Sequence, residues 1–160
     1  MVKKVVLPAA VVLVVLILFF WRQQPEQVVK RQADKILAIG SLPDKLSPAD
    51  LVFRSEQLRG LLDPDIDIYV EAFGREERAS GRDQALAAFH LYTRLMEKTT
   101  LSGAYGNIEV AGKRAMVPLR LKAKMKIGDG KVSEAEMDGR FEFRRNDDGW
   151  DLLLVEFIDE

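Results

Sequence analysis

Hydrophobic and polar positions are arranged in three different ways along this chain of 160 residues. From Val5 to Trp21 they do not alternate at all: seventeen residues pass without a charge, between Lys3-Lys4 and Arg22. As a helix this run reaches about 25 Å, the lower limit for crossing a bilayer, and the flanking cations can snorkel to the headgroups. Phe19, Phe20 and Trp21 stand where an aromatic belt would. A cleaved signal peptide needs small residues at the end of its apolar run, and here the chain reads FFWRQQ. The expectation is an uncleaved signal anchor over residues 1–22 and one folded domain over 23–160.

Beyond the anchor the period becomes helical. Pro25 suits the first turn of a helix, and Val28, Val29, Ala33, Ile36 and Leu37 recur at helical spacing until Gly40. A second helix runs from Pro48, with Ser47 as its cap, through Leu51, Val52, Ser55, Leu58 and Leu62, and stops before Asp63-Pro64. A strand follows, with Ile66, Ile68, Val70 and Ala72 on one face and Asp67, Tyr69, Glu71 and Phe73 on the other. Ser80, three residues before Asp83, predicts a capping-box start for a third helix carrying Ala85, Phe89, Tyr92 and Met96 along one stripe.

From Leu101 onward the period is two. Ala115, Val117, Leu119, Leu121 and Ala123 point one way, and Arg120, Lys122, Lys124 and Lys126 the other. After Gly128-Asp129-Gly130, Ala135, Met137, Gly139, Phe141 and Phe143 face opposite to Glu134, Glu136 and Asp138. A three-residue loop closed by Ile127 and Lys131 pairs Lys124 with Glu134, Lys122 with Glu136 and Arg120 with Asp138, and sets Leu121 against Met137 and Val117 against Phe141. A slip of one residue would put lysines opposite apolar side chains, so the register is specified twice. The basic stripe is thereby read as cross-strand partners of acids, not as a site for phosphates or lipid. The last strand, Trp150 to Ile158, is apolar on both sides: Trp150, Leu152 and Leu154 on one, Leu153, Val155 and Phe157 on the other. Such a strand is expected at the centre of a sheet, with its second face covered. A four-residue turn would set Leu153 across from Glu142 and Val155 across from Arg140, which makes Leu153, Val155 and Phe157 a candidate homodimer interface.

Composition narrows the functional classes. Of the 24 basic residues only Lys3 and Lys4 precede Arg22, and all 25 acids follow it. The domain is therefore slightly acidic and gives no electrostatic reason to expect nucleic acid. The absence of cysteine removes disulfides, thiolate catalysis and zinc-thiolate centres. With one histidine, His90, and no loop of calcium-binding spacing, neither a metal nor a cofactor is expected. A short tail before a signal-like segment stays in the cytoplasm, so the expected topology is single-pass in a bacterial inner membrane, with the domain on the periplasmic side.

Two segments carry a resemblance. SGRDQALAAFHLY, from Ser80, resembles the Gly-Arg-Glu helix opening of the nuclear transport factor 2-like (SnoaL-like, cystatin-like fold) superfamily. GRFEFRRNDDGWDLLLVEF, from Gly139, resembles its closing hairpin. The resemblance implies an α+β fold in which three helices pack on a curved, mostly antiparallel sheet, forming a cone whose mouth often holds a ligand. It also implies that dimers form through the outer sheet face.

Enzymes of that superfamily place Asp, His or Tyr inside the cone. The concave set expected here includes Ile66, Ile68, Val70, Ala104, Gly106, Ile108, Leu119, Met137, Phe141, Leu152 and Leu154, none of them ionisable. His90 lies off the apolar stripe and reads as an exposed helix residue, and Asp67 and Glu71 fall on the opposite strand face. No catalytic residue is assigned. A ligand pocket, if one exists, would be lined by Tyr92, Phe89, Leu119, Met137, Phe141 and Leu154, with Ala104, Gly106 and Gly139 leaving room. The sequence thus favours a membrane-anchored, non-catalytic binding or assembly module of the cell envelope, with a homodimer or another envelope protein as partner. The alternative is a small-molecule-binding protein or an enzyme of the isomerase or dehydratase type.

Overall fold

A computed structural model describes residues 3–72 and 74–159, with side chains from Pro8 onward. Lys3, Lys4 and Val5 are therefore seen only as backbone, and Phe73 lies outside the described residues. The chain opens with α1 (Lys3–Arg22), α2 (Pro25–Gly40) and α3 (Pro48–Leu61), then the hairpin β1 (Leu62–Ala72) and β2 (Arg75–Ser80). α4 (Arg82–Leu95) leads into β3 (Met96–Tyr105), β4 (Glu109–Ala111), β5 (Arg114–Ile127), β6 (Val132–Asn146) and β7 (Gly149–Asp159). The strands form one mixed sheet in the order β2-β1-β7-β6-β5-β3, with β4 beside β5. β1 and β7 run parallel and the other pairs antiparallel. The expected α+β architecture is present, and α2, α3 and α4 cover one face of the sheet.

Local chemistry sets the helix ends. At α3 the Ser47 hydroxyl accepts from Asp50 N at 3.1 Å while the Asp50 carboxylate accepts from Ser47 N at 3.4 Å, and Pro48 fills the first helical position. The cap expected of Ser80 does not form. Gly81, whose φ of 84° suits glycine, takes the cap position before α4, and Ser80 closes β2. The Ser80 hydroxyl donates instead to Asp67 at 2.7 Å, and its amide donates to the Gln84 side chain at 2.9 Å. Met96, expected on the helix, begins β3 opposite Ile127. β2 itself gave no sequence signal, because Ala79 is its one buried residue. Its charged side chains blunt an edge strand.

The β5–β6 register is the one expected: Lys124 opposite Glu134, Lys122 opposite Glu136, Arg120 opposite Asp138, Leu121 opposite Met137 and Val117 opposite Phe141. The three ion pairs span 3.6, 2.9 and 2.8 Å respectively. Ile127 N bonds to Lys131 O at 3.1 Å and closes the loop.

The β6–β7 register is the one expected from the four-residue turn only as far as Phe143, and departs from it beyond. Phe143 lies opposite Leu152 and Glu142 opposite Leu154, so Leu153 is an extra residue in a β-bulge. Beyond it Val155 faces Phe141, Glu156 faces Arg140 and Phe157 faces Gly139. Trp150, Leu152, Val155 and Phe157 therefore all serve the core, while Leu154 turns outward. The strand is central, between β1 and β6, as expected. Its doubly apolar sequence reflects one buried face that changes parity, not two covered faces.

The parity expected for β3 is also reversed. Ala104 lies opposite Arg120 on the outer face, and Leu101 and Tyr105 pack on the core.

α1 stands apart from this core. From Val11 to Trp21 its side chains are exposed on every side. Among the described residues no single helix is long and apolar enough to cross a membrane. Pro8–Arg22 taken with Pro25–Gly40 meets the length and composition only as a pair bent by 63°. The second arm of that pair buries Val29, Ala33, Leu37 and Ile39 and so belongs to the domain.

Candidate functional site

The interior of the curved sheet is filled by its own side chains. Leu119, Met137, Phe141 and Phe89 are buried. Phe141 meets Phe157 edge to face at 5.7 Å and Phe143 at 6.3 Å. The small residues expected to leave room do not. A methyl group at Gly139 would overlap the Glu156 carbonyl and the Phe157 ring, and one at Gly106 would come within 3.0 Å of Pro118 Cγ. Gly103 is likewise closed, by Leu37 and Leu119 at 3.0 and 3.1 Å.

The six residues expected to line a pocket do not surround one space. Leu119, Met137 and Phe141 are core, Phe89 packs beside Tyr92, and Leu154 is on the other side of the sheet. Tyr92 donates its hydroxyl to Gly40 O at 2.7 Å, capping the end of α2, and burial pushes its phenol pKa up.

The residues considered for acid–base chemistry are dispersed. His90 was expected in solvent, but it is half-buried between helices, with Nε2 at 3.3 Å from the buried Ser55 hydroxyl. Asp67 accepts from Ser80, and Glu71 accepts from the Tyr69 hydroxyl at 3.1 Å. Among the described residues no group of three or more His, Cys, Asp or Glu could hold a metal ion.

The candidate interface residues separate as well. Phe157, 4% exposed, and Val155 are on the core side, which leaves Leu153 and Leu154 at the bulge. The outer sheet face carries Arg120, Lys122 and Lys124 on β5 against Asp138, Glu136 and Glu134 on β6, then Arg140 beside Glu156. Leu154 and Ile158 are interruptions in a charged surface.

One polar cluster was missed. Asp63, only 2% exposed, receives two hydrogen bonds from Arg144, at 2.8 and 2.5 Å, and Arg144 also reaches Asp65 at 2.9 Å. Arg82 donates to the carbonyl of Leu62 at 2.8 Å, and Asn146 donates to Asp151. Burial raises the Asp151 carboxyl pKa, and the charge of Asp63 adds to the shift. The cluster ties the starts of β1, β7 and α4 to the end of β6. In the sequence Asp63-Pro64 signalled only the end of a helix, and a partner 81 residues away leaves no local trace.

A further open space belongs to the helix layer. A groove of about 700 Å³ runs between α2 and α3, with Ala38, Ile39 and Leu61 as apolar lining and Lys35 and Arg54 set against Asp50 and Glu56 as charged lining. Arg54 is held by the end of α2: its Nη1 donates to Ala38 O and Ile39 O at 3.0 Å and to Ser41 O at 3.1 Å. Cations in this position complement the negative end of a helix dipole. Phe53 lines the groove, and it and its neighbour Val52 are 65% and 64% exposed. Spacing along the chain does not show this groove, because a groove between helices is a tertiary feature.

No protein-family model matches the chain, and no curated protein matches it. Solved structures do. A nuclear transport factor 2-like superfamily protein from Salmonella enterica superposes with a TM-score of 0.67 at 17% identity, over 84% of this chain and 89% of that one. A candidate aromatic ring hydroxylase from Novosphingobium aromaticivorans gives 0.70 at 13% identity, over 85% and 89%. A candidate scytalone dehydratase from the same species gives 0.60 at 15% identity, over 83% and 85%. At these identities the likeness is one of fold, and the domain has the nuclear transport factor 2-like, cystatin-like fold.

Proposed function

We propose that this chain is a membrane-tethered binding or assembly module of a bacterial-type envelope, held by α1 and working through its surface. The observation that carries the reading is the contrast between α1, apolar and exposed all round, and a sheet interior closed by Phe141, Phe157 and Leu119. A helix that is apolar on every side is stable only when something apolar surrounds it. With Val5, Val6 and Leu7 the run reaches the length a bilayer requires. Only Gln23 and Gln24 separate α1 from α2, so the domain sits against the membrane surface. Another envelope protein or a second copy of this chain is the partner class.

The test is extraction. The full chain should stay in the membrane fraction through high-salt and carbonate washes and keep Met1 or Val2 at its N-terminus. A soluble product beginning near Arg22 or Gln24 would mean a cleaved signal peptide and would overturn the tether.

A second reading is favoured by the groove of about 700 Å³ between α2 and α3 and by the candidate dehydratase and hydroxylase among the fold neighbours. In it the domain holds a small apolar anion, with Lys35 supplying the charge. Arg54, engaged by three carbonyls, would not be free to move toward it.

A further inference from the structure

Three observations fix which side of the domain looks at the membrane. The first is the corner between α1 and α2. Arg31 Nη2 donates to the carbonyl of Arg22, the last residue of α1, at 2.7 Å. On α2 the core side is marked by Val29, Ala33 and Leu37. At about 100° per residue Arg31 and Lys35 stand roughly 160° to either side of Ala33, on the ridge facing away from the sheet. The end of α1 therefore approaches α2 from that ridge, and the bilayer holding α1 lies on the helix-layer side.

The second observation is the angle. The two helices diverge by 63° from a common axis. With α1 along the bilayer normal, the 16 residues of α2, about 24 Å long, rise only about 11 Å from the surface. That is within about 6 Å of the depth of the headgroup region.

The third observation is what this side presents. Val52 and Phe53 of α3 are both about two-thirds exposed, a large apolar outlay for a polar helix layer. Phe53 shares its groove with Lys35 and Arg54 against the carboxylates of Asp50 and Glu56, and Arg31 stands on the same outward ridge of α2 as Lys35. Asp50 is occupied by the Ser47 cap, and Glu56 lies 3.7 Å from Arg59. On this face the cations without a carboxylate beside them are those of the α2 ridge, Arg31 and Lys35.

We propose that the α2–α3 face is a bilayer-docking surface: Arg31 and Lys35 meet the phosphates of anionic phospholipids, and Val52 and Phe53 enter the headgroup–acyl boundary. The docking rests on the membrane tether proposed above. It goes further by naming the face, the lipid charge and the residues, and it leaves the charged outer sheet face pointing away from the membrane, open to other proteins. Amphipathic surfaces bind membranes through this combination of buried apolar area and attraction to anionic lipid.

The chain has no cysteine, so Phe53→Cys and Lys122→Cys each give a unique labelling site on opposite faces of the domain. The full chain is placed in phosphatidylcholine nanodiscs with or without phosphatidylglycerol, and a nitroxide at each site reports its access to oxygen and to an aqueous nickel chelate. Position 53 should be protected from the chelate in anionic discs, and position 122 should remain accessible in both. Arg31→Glu with Lys35→Glu should lower the docked population by more than tenfold, at about fivefold per cation near an anionic surface. Equal aqueous access at both positions in anionic discs would overturn the proposal, as would protection of position 122 in place of 53. Protection at 53 that ignores lipid charge would overturn the role of Arg31 and Lys35. Failure of the chain to float with liposomes would instead remove the tether, and the docking with it. Should Phe53→Cys unfold by circular dichroism, Val52→Cys gives the same readout from the neighbouring residue.

Discussion

The two hairpins that share β6 were encoded in different ways. Across β5–β6, from Arg120 to Lys124, every second residue is charged and faces an opposite charge, so only one pairing satisfies both faces. Across β6–β7 the partner strand reads Trp150-Asp151-Leu152-Leu153-Leu154-Val155, and several registers bury a similar apolar area. The bulge at Leu153 settles it by using both parities, Leu152 before it and Val155 after it. Alternation specifies register. A run of apolar residues specifies burial and leaves register to the sheet around it.

The sharpest way to break this comparison is to truncate the side chains that exchanged places. Phe157 is almost fully buried against Phe141, whereas Leu154 is opposite Glu142 on the outer face. Phe157→Ala should cost about 3–5 kcal/mol in urea unfolding. Leu154→Ala should stay within about 1 kcal/mol, nearer to a surface substitution. Similar losses at the two positions, or the reverse order, would restore the unbulged register. Gly139→Ala belongs to the same test. Its methyl group meets the backbone carbonyl of Glu156, which has no rotamer to escape into, so a loss of about 3 kcal/mol or failure to fold is expected.

A second comparison sets the buried Asp63–Arg144 pair against the exposed pairs of the β5–β6 ladder. Arg144→Ala leaves the Asp63 carboxylate out of water with only the Asp65 amide, at 2.9 Å, as partner. Breaking buried pairs costs about 3–5 kcal/mol; Arg144 is partly exposed, so the lower end is expected. Arg144→Lys should recover only part of this, because one ammonium cannot reproduce the fork that reaches Asp63 and Asp65 together. Urea midpoints of the two variants, compared with Arg120→Ala on the outer face, decide whether burial sets the cost.

These contrasts explain what was legible in the chain. The helix layer could be read from spacing because Val29, Ala33 and Leu37 recur on one turn pattern, and α3 could be bounded because Ser47, Pro48 and Asp50 form a local cap. β2 could not be read: Arg-Glu-Glu-Arg-Ala-Ser is an edge strand made by pairing with β1, and its own side chains bury almost nothing. Ser80 misled because Gly81 takes the cap position, which leaves Ser80 as the last residue of β2, paired with Asp67 across the hairpin. The small residues misled in the opposite sense. Gly139 read as vacancy because a missing side chain shows only what is absent from its own position, while the ring that fills the space belongs to Phe157, eighteen residues later. The candidate pocket was therefore drawn in a volume already occupied, and the groove between α2 and α3 stayed hidden because helix packing creates it.

The finest test of the comparison is the charge ladder itself, where the expected energies are smallest. Lys122 and Glu136 face each other at 2.9 Å with more than half of each side chain in solvent, so the pair contributes a few tenths of a kcal/mol to about 1 kcal/mol. Lys122→Glu places two carboxylates opposite one another and should destabilise by a similar amount. Adding Glu136→Lys restores opposite charges with the strand order inverted and should recover most of the loss, giving a coupling near the size of the pair itself. Salt sharpens the reading: the coupling should shrink as ionic strength rises through the physiological range, because exposed pairs are screened over about 8 Å. Losses that merely add, or a coupling that ignores salt, would mean that the apolar face alone holds the register. In that case β5–β6 would be no better specified than β6–β7, and its freedom from a bulge would need a different cause.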